Sequence, residues 1–231
     1  MSYIAKYVRE NIFKPYSQKF KRRRKKIFYD YFRPEIKDKI LDFGGDDGSF
    51  LNFLISFRND ELYVADISKS KLEIASQKYG FKTIYLDESG KIPFPDDFFD
   101  IVFCNSVIEH VTVDKSEMLN IKNDKEFIDK SIVRQRFLAD EIRRTGKKYF
   151  VQTPYKHFII ESHTWFPSFF IYLPRTFQIK LIKYLSKYWL HDCDPDINLL
   201  TYNDMKNFFP EAYIIREKSF FLTKSLIAVK I

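Results

Sequence analysis

From residue 36 onward, short apolar runs alternate with longer amphipathic stretches, and this alternation admits few architectures other than a parallel sheet covered by helices. Lys39 to Phe43 reads as a first strand, and Ser49 to Phe57 as the helix after a glycine turn. Leu62 to Ala65 gives a second strand that ends at Asp66. Ser68 is placed to cap the next helix, which runs toward Tyr79 and stops at Gly80. Lys82 to Leu86 is a short third strand. Pro93 and Pro95 then hold an extended loop, because proline fixes its own φ and turns the preceding residue away from helix. Asp100 to Asn105 is apolar enough for a central strand. Asp124 to Arg144 repeats apolar residues near the helical period, Gly146 ends it, and Lys148 to Gln152 is a fifth strand.

After residue 156 the rhythm changes. His157 to Pro174 is punctuated by proline and rich in aromatics, which suits a lid-like insert better than framework. Thr176 to Leu190 is predicted helical, Asn203 to Phe209 is a short helix, and Ala212 to Arg216 with Ser225 to Ile231 form a closing antiparallel pair. The expected fold is α/β: a seven-stranded, mostly parallel sheet with helices on both faces and an antiparallel C-terminal strand pair. The expected organisation is a basic helical extension over 1–35 and one domain over 36–231, with the aromatic insert at about 155–200.

Composition narrows the setting. Cys104 and Cys193 are the only cysteines, too few for a disulfide framework or a cysteine-rich zinc site. The N-terminal residues show no signal-peptide pattern, and no window has the length of apolar sequence that a spanning helix needs. The expected location is therefore cytoplasmic, with contact to the inner face of the membrane through the basic run. Net charge is +8, with much of the excess in Lys19 and the run Lys21 to Lys26. Such a run suits an anionic membrane surface or phosphorylated substrate, with nucleic acid as a weaker fit, or else it is a solvated helix face.

Glycine is scarce: only 6 in 231 residues, and Gly44, Gly45 and Gly48 stand almost together. A strand, a tight glycine turn and a helix form a cradle in which the backbone approaches a nucleotide-type ligand beyond the carboxyl ends of the strands. Asp66, at the end of the second strand, is placed to accept hydrogen bonds from ribose hydroxyls. Asp46 and Asp47 occupy the position where a dinucleotide's pyrophosphate would rest. Two carboxylates there repel a pyrophosphate but tolerate a cationic, phosphate-free ligand such as S-adenosylmethionine.

Three stretches carry a family resemblance that spans roughly residues 38 to 156. Ile40-Leu-Asp-Phe-Gly-Gly-Asp-Asp-Gly48, Val64-Ala-Asp66 and Lys91-Ile-Pro-Phe-Pro-Asp-Asp-Phe-Phe-Asp-Ile-Val-Phe-Cys-Asn-Ser-Val-Ile-Glu-His110 resemble the class I methyltransferases of the methyltransferase-11 type. The resemblance implies a Rossmann-like sheet and S-adenosylmethionine as cofactor. It implies that the turn at Gly44 holds the methionine part, Asp66 the ribose and Asp87 the adenine amino group, with Asn105 and Ser106 lining the floor beside the methyl. Asp42, Gly45 and Ile67 complete the expected cofactor-binding set. One departure stands out: the family's middle glycine is Asp46 here, a residue that tolerates positive φ better than most.

The acceptor side is less defined. Glu109 and His110 follow the fourth strand at the expected rim, where a base within hydrogen-bond reach would assist methylation of a hydroxyl. His157, Glu161, His163 and Trp165 lie in the aromatic insert; His163 is a candidate base and the other three candidate acceptor contacts. No metal is expected, because the prolines oppose a helix that would align two imidazoles and a carboxylate. The later segment from Tyr149 to Pro167 resembles a subgroup associated with cell-surface polysaccharide and other glycan modification, which implies a saccharide or other small-molecule acceptor, including a lipid-linked one, methylated at oxygen. The alternatives are an RNA methyltransferase gripping phosphates with the basic arm, and a non-catalytic Rossmann-like partner subunit.

Overall fold

A computed structural model of the chain describes residues 14–57, 59–87, 89–114, 123–159, 173–185 and 197–231, together with Asn11, Glu117, Asn120 and Ile121. Helix α1 (Lys14–Phe32) precedes the alternating units β1 (Ile40–Phe43), α2 (Ser49–Leu54), β2 (Leu62–Asp66), α3 (Lys69–Tyr79) and β3 (Lys82–Tyr85). Then come β4 (Phe99–Asn105), a short 3-10 turn (Ile108–His110), α4 (Asp124–Thr145) and β5 (Gly146–Pro154). Helices α5 (Arg175–Leu185) and α6 (Tyr202–Phe208) lead to the hairpin of β6 (Tyr213–Ser219) and β7 (Leu222–Lys230). The strands form one seven-stranded sheet in the order β3-β2-β1-β4-β5-β7-β6. The first five strands pair in parallel and β7 runs antiparallel to both β5 and β6.

Strand periodicity splits the core into two layers. Leu41, Phe43, Val102, Cys104 and Val151 face α4 and α6, while Ile40, Val64, Phe103, Phe150 and Ile227 face α1, α2 and α3. Sequence reading and structure agree on every strand to within a few residues. One cap differs. Ser68 precedes α3 but makes no side-chain cap bond, because its hydroxyl faces that of Ser70 while its amide donates to Asp66 Oδ1. Gly80 ends α3 at φ 74, as a left-handed C-terminal glycine does. Among the described residues, no helix is long and apolar enough to cross a membrane.

Helix α1 is joined to this core. Its buried positions Phe20, Arg24, Phe28 and Phe32 recur every four residues, so they form one stripe along the helix. Phe28 is fully buried and meets Phe103 edge-on at 5.7 Å and Phe150 at 6.2 Å. Removing a buried phenylalanine leaves a cavity that the neighbouring rings fill only in part. We expect Phe28→Ala to cost about 3–5 kcal/mol in urea unfolding; an unchanged midpoint would show that the helix contributes nothing to the fold.

Candidate functional site

The sheet order places the switch point between β1 and β4, where successive connections leave toward opposite faces and a crevice opens beyond the strand ends. Every residue of β1 is buried, and the chain then turns through Gly44 (φ 67), Asp46 (φ 50) and Gly48 (φ 74) before α2. The turn is fastened to β2: the amides of Gly44 and Gly45 donate to Ala65 O at 2.8 and 3.3 Å. Glycine is required at two positions for reasons of space. A Cβ on Gly44 would lie 2.5 Å from Val107 Cγ2, and one on Gly45 would lie 2.8 Å from the Asp42 carboxyl. Asp46 itself adopts the left-handed conformation, at φ 50. Its amide donates to Asp66 Oδ2 at 3.0 Å and its carboxylate pairs with Lys71 at 3.1 Å.

Asp66 ends β2 with one oxygen on the Asp46 amide and the other on the Ser68 amide, so its orientation is fixed by backbone. Each oxygen keeps a lone pair for a ligand. Ile67 beside it is 63% exposed, an apolar side chain lying open at the strand end. Asp87 lies in the exposed loop after β3, where hydrogen bonds from the Ser89 hydroxyl and amide hold its carboxyl below the ordinary range. Asp42 is buried beneath the turn and its Oδ2 has no hydrogen-bond partner. Burial, with the charge of Asp66 adding, pushes its carboxyl up to about 8.

Asn105 and Ser106 stand at the end of β4 on the other side of the crevice. Ser106 has φ +57 and donates through both its amide and its hydroxyl to Gln152, each at 2.9 Å. The Asn105 Oδ1 accepts from Arg24 Nη1 at 3.0 Å, so a side chain of α1 reaches the floor of the crevice. Arg24 also pairs with fully buried Glu217 at 3.0 Å and reaches Ser225 Oγ at 3.3 Å. Lys224 is the extra residue of a β-bulge, since Glu217 opposes Ser225 while Lys218 opposes Thr223. Its ammonium sits 3.7 Å from the Phe20 ring centre, and burial, with the Arg24 charge adding, lowers it to about 8. Arg24 and Glu217 escaped the sequence reading. The available signal was a cation at position 24 inside the four-residue aromatic repeat of Tyr16, Phe20, Phe28 and Phe32.

On the acceptor side, the structure departs from expectation at Glu109. Its side chain lies inside the protein, fully buried, and accepts from Thr153 Oγ1 at 3.0 Å. The 3-10 turn rotates it inward, while neighbouring His110 stays exposed. His157 is exposed just after β5, with its ring edge-on to Tyr155 at 5.3 Å. Glu161, His163 and Trp165 lie outside the described residues. Among the described residues, no cluster of His, Cys, Asp or Glu is placed to hold a metal ion.

Residues 41–122 match the methyltransferase-11 family model, described as a methyltransferase domain. This match falls within the stretch that carries the resemblance in the sequence. No curated protein sequence matches the chain. Among solved structures, magnesium protoporphyrin IX methyltransferase from Synechocystis PCC 6803, with bound S-adenosylhomocysteine, aligns over 100% of this chain and 89% of its own at TM-score 0.53 and 15% identity. A Pyrococcus horikoshii OT3 protein aligns over 88% of this chain and 84% of its own at TM-score 0.53 and 15% identity. An S-adenosylmethionine-dependent methyltransferase from Mesorhizobium loti aligns over 85% and 92% at TM-score 0.52 and 14% identity. At such identities the likeness establishes the Rossmann-like fold.

The buried carboxyl under the turn has a consequence for stability. Folded Asp42 keeps its proton up to about pH 8, whereas an unfolded aspartate releases it near 3.8. The folded chain therefore binds more protons between those values, and this contribution is complete below them and lost as pH rises through them. Asp42→Asn should abolish that loss, so that urea unfolding at about pH 5 and about pH 8 gives the variant a flatter profile than the parent. Parallel profiles would mean that Asp42 is ionised throughout.

Proposed function

We propose that this chain, whose residues 41–122 match a methyltransferase domain, is an S-adenosylmethionine-dependent methyltransferase acting at oxygen on a small-molecule or saccharide acceptor. The observation that carries the cofactor reading is the acidic glycine turn over a buried carboxyl that lacks a partner. Asp46, Asp47 and Asp66 lie in or beside one turn that also needs glycine for space at Gly44 and Gly45, and Asp42 lies beneath it. Such a cradle opposes a pyrophosphate and suits a ligand that brings positive charge and no phosphate. S-adenosylmethionine is such a ligand, and when bound it supplies an electrophilic methyl group on its sulfonium.

The remaining work belongs to this chain's own residues. Gly44 and Gly45 admit the methionine part, Asp66 holds the ribose, Ile67 covers one face of the adenine and Asp87 meets its amino group. Asn105, held by Arg24, and Ser106, held by Gln152, form the floor beside the methyl group. Catalysis by such a site is mainly proximity and orientation. The acceptor's proton goes to a base at the exposed rim, where His110 and His157 stand, and not to buried Glu109. Glu109 instead supports the floor through Thr153. The saccharide acceptor rests on the resemblance of the segment from Tyr149 to Pro167 to glycan-modifying relatives.

Calorimetric titration with S-adenosylmethionine, S-adenosylhomocysteine and NAD tests the cofactor reading. The first two should bind and NAD should not. Asp66→Ala should weaken S-adenosylhomocysteine by about tenfold or more, the value of charge-assisted hydrogen bonds to two hydroxyls. Silence from all three ligands would leave a non-catalytic Rossmann-like domain as the better description.

A further inference from the structure

The β6–β7 hairpin ends in a two-residue loop, Phe220-Phe221, with Leu222 opening the next strand. Phe220 is 89% exposed, Phe221 95% and Leu222 47%. Two-residue hairpin loops favour asparagine and glycine, because the turn demands positive φ. Phe220 nevertheless holds φ +54, a conformation unfavourable for an aromatic residue. Local folding preferences therefore do not explain these side chains, and water is a poor environment for them.

The helix beside the tip is basic. Arg23 of α1 donates to Lys218 O at 2.9 Å, and Tyr16 bonds the Ser219 hydroxyl at 2.7 Å, so the first half of α1 lies alongside the hairpin. Lys19 and Arg23 are one helical turn apart and share that flank. Lys19, Lys21, Arg22, Arg23 and Lys218 are all exposed, and the only acid in α1 is Asp30, near its far end. An aromatic tip with Lys19, Arg23 and Lys218 along its flank, on a helix that also exposes Lys21 and Arg22, matches the two demands of an anionic bilayer, apolar insertion below the headgroups and cations at their level.

Position in the fold gives the patch its meaning. Strand β7 starts beside the end of β5, with Ser225 opposite Pro154, so the tip projects beyond the same edge of the sheet as the glycine turn and Asn105. We propose that the Phe220–Phe221 tip and the exposed cations of α1 dock the protein on an anionic lipid surface, with the carboxyl edge of the sheet turned toward the membrane. In that orientation the acceptor is an amphiphile presented from the bilayer surface. The acceptor clause rests on the methyltransferase reading, whereas docking does not.

The test is flotation of the full chain with phosphatidylcholine vesicles, with and without phosphatidylglycerol, in the absence of cofactor. The chain should float with the anionic vesicles and not with the neutral ones. Phe220→Ser with Phe221→Ser should reduce that binding by about tenfold or more at an unchanged melting temperature, and Lys19→Glu with Arg22→Glu should do likewise. Absence of binding to anionic vesicles, or undiminished binding by the phenylalanine variant, overturns the proposal. So does a protein that ignores vesicles and instead captures RNA or self-associates through the tip. Failure here leaves the cofactor titration unaffected, and a silent titration leaves the vesicle result standing.

Discussion

The loops after β1 and β4 meet at the switch point with almost no space between them. Gly44 faces Val107 so closely that a single methyl group would collide with both branches of the valine. Below it, Asp42 is sealed by Gly45; above it, Asp66 pins the turn through the Asp46 amide. The turn is thus held from three sides by contacts of the fold itself.

A second constraint joins the chain's beginning to its end. Arg24 and Glu217 form an ion pair inside the protein, and such pairs gain little over an apolar contact once desolvation is counted. Their value here is positional. Arg24 reaches Asn105 with the guanidinium that also meets Glu217 and Ser225, so the first helix, the last hairpin and the crevice floor share one hydrogen-bond network. The basic run of the sequence accordingly has two fates. Arg24 is consumed by the fold, whereas Lys19, Lys21, Arg22 and Arg23 keep exposed surface.

The sheet was legible because its strands are short apolar runs, as strands buried on both faces are, and its turns carry most of the few glycines. The glycine turn was legible because Gly44 directly follows β1 and Asp66 ends β2, where local sequence dictates geometry. Glu109 was misplaced for the opposite reason. A 3-10 turn advances each residue by a third of a turn, so adjacent Glu109 and His110 point in different directions, and no sequence period reveals which one faces inward. The contact of Arg24 with Asn105 was equally hidden, since it spans distant parts of the chain and depends on how α1 docks. Long-range polar contacts leave no periodic trace, whereas apolar faces do.

The bulge at Lys224 has a consequence for the sheet's outer rim. Strand β6 is an edge strand, and an edge with regular spacing offers unpaired amides and carbonyls to any passing strand. The extra residue kinks the neighbouring strand and increases its local twist, while Arg216 and Lys218 place charge along the edge itself. The opposite edge, β3, is short and carries exposed Lys82. Both rims are therefore poor templates for strand addition, and a chain rich in phenylalanine and tyrosine is guarded against amyloid-like stacking at the two places where its backbone is most open.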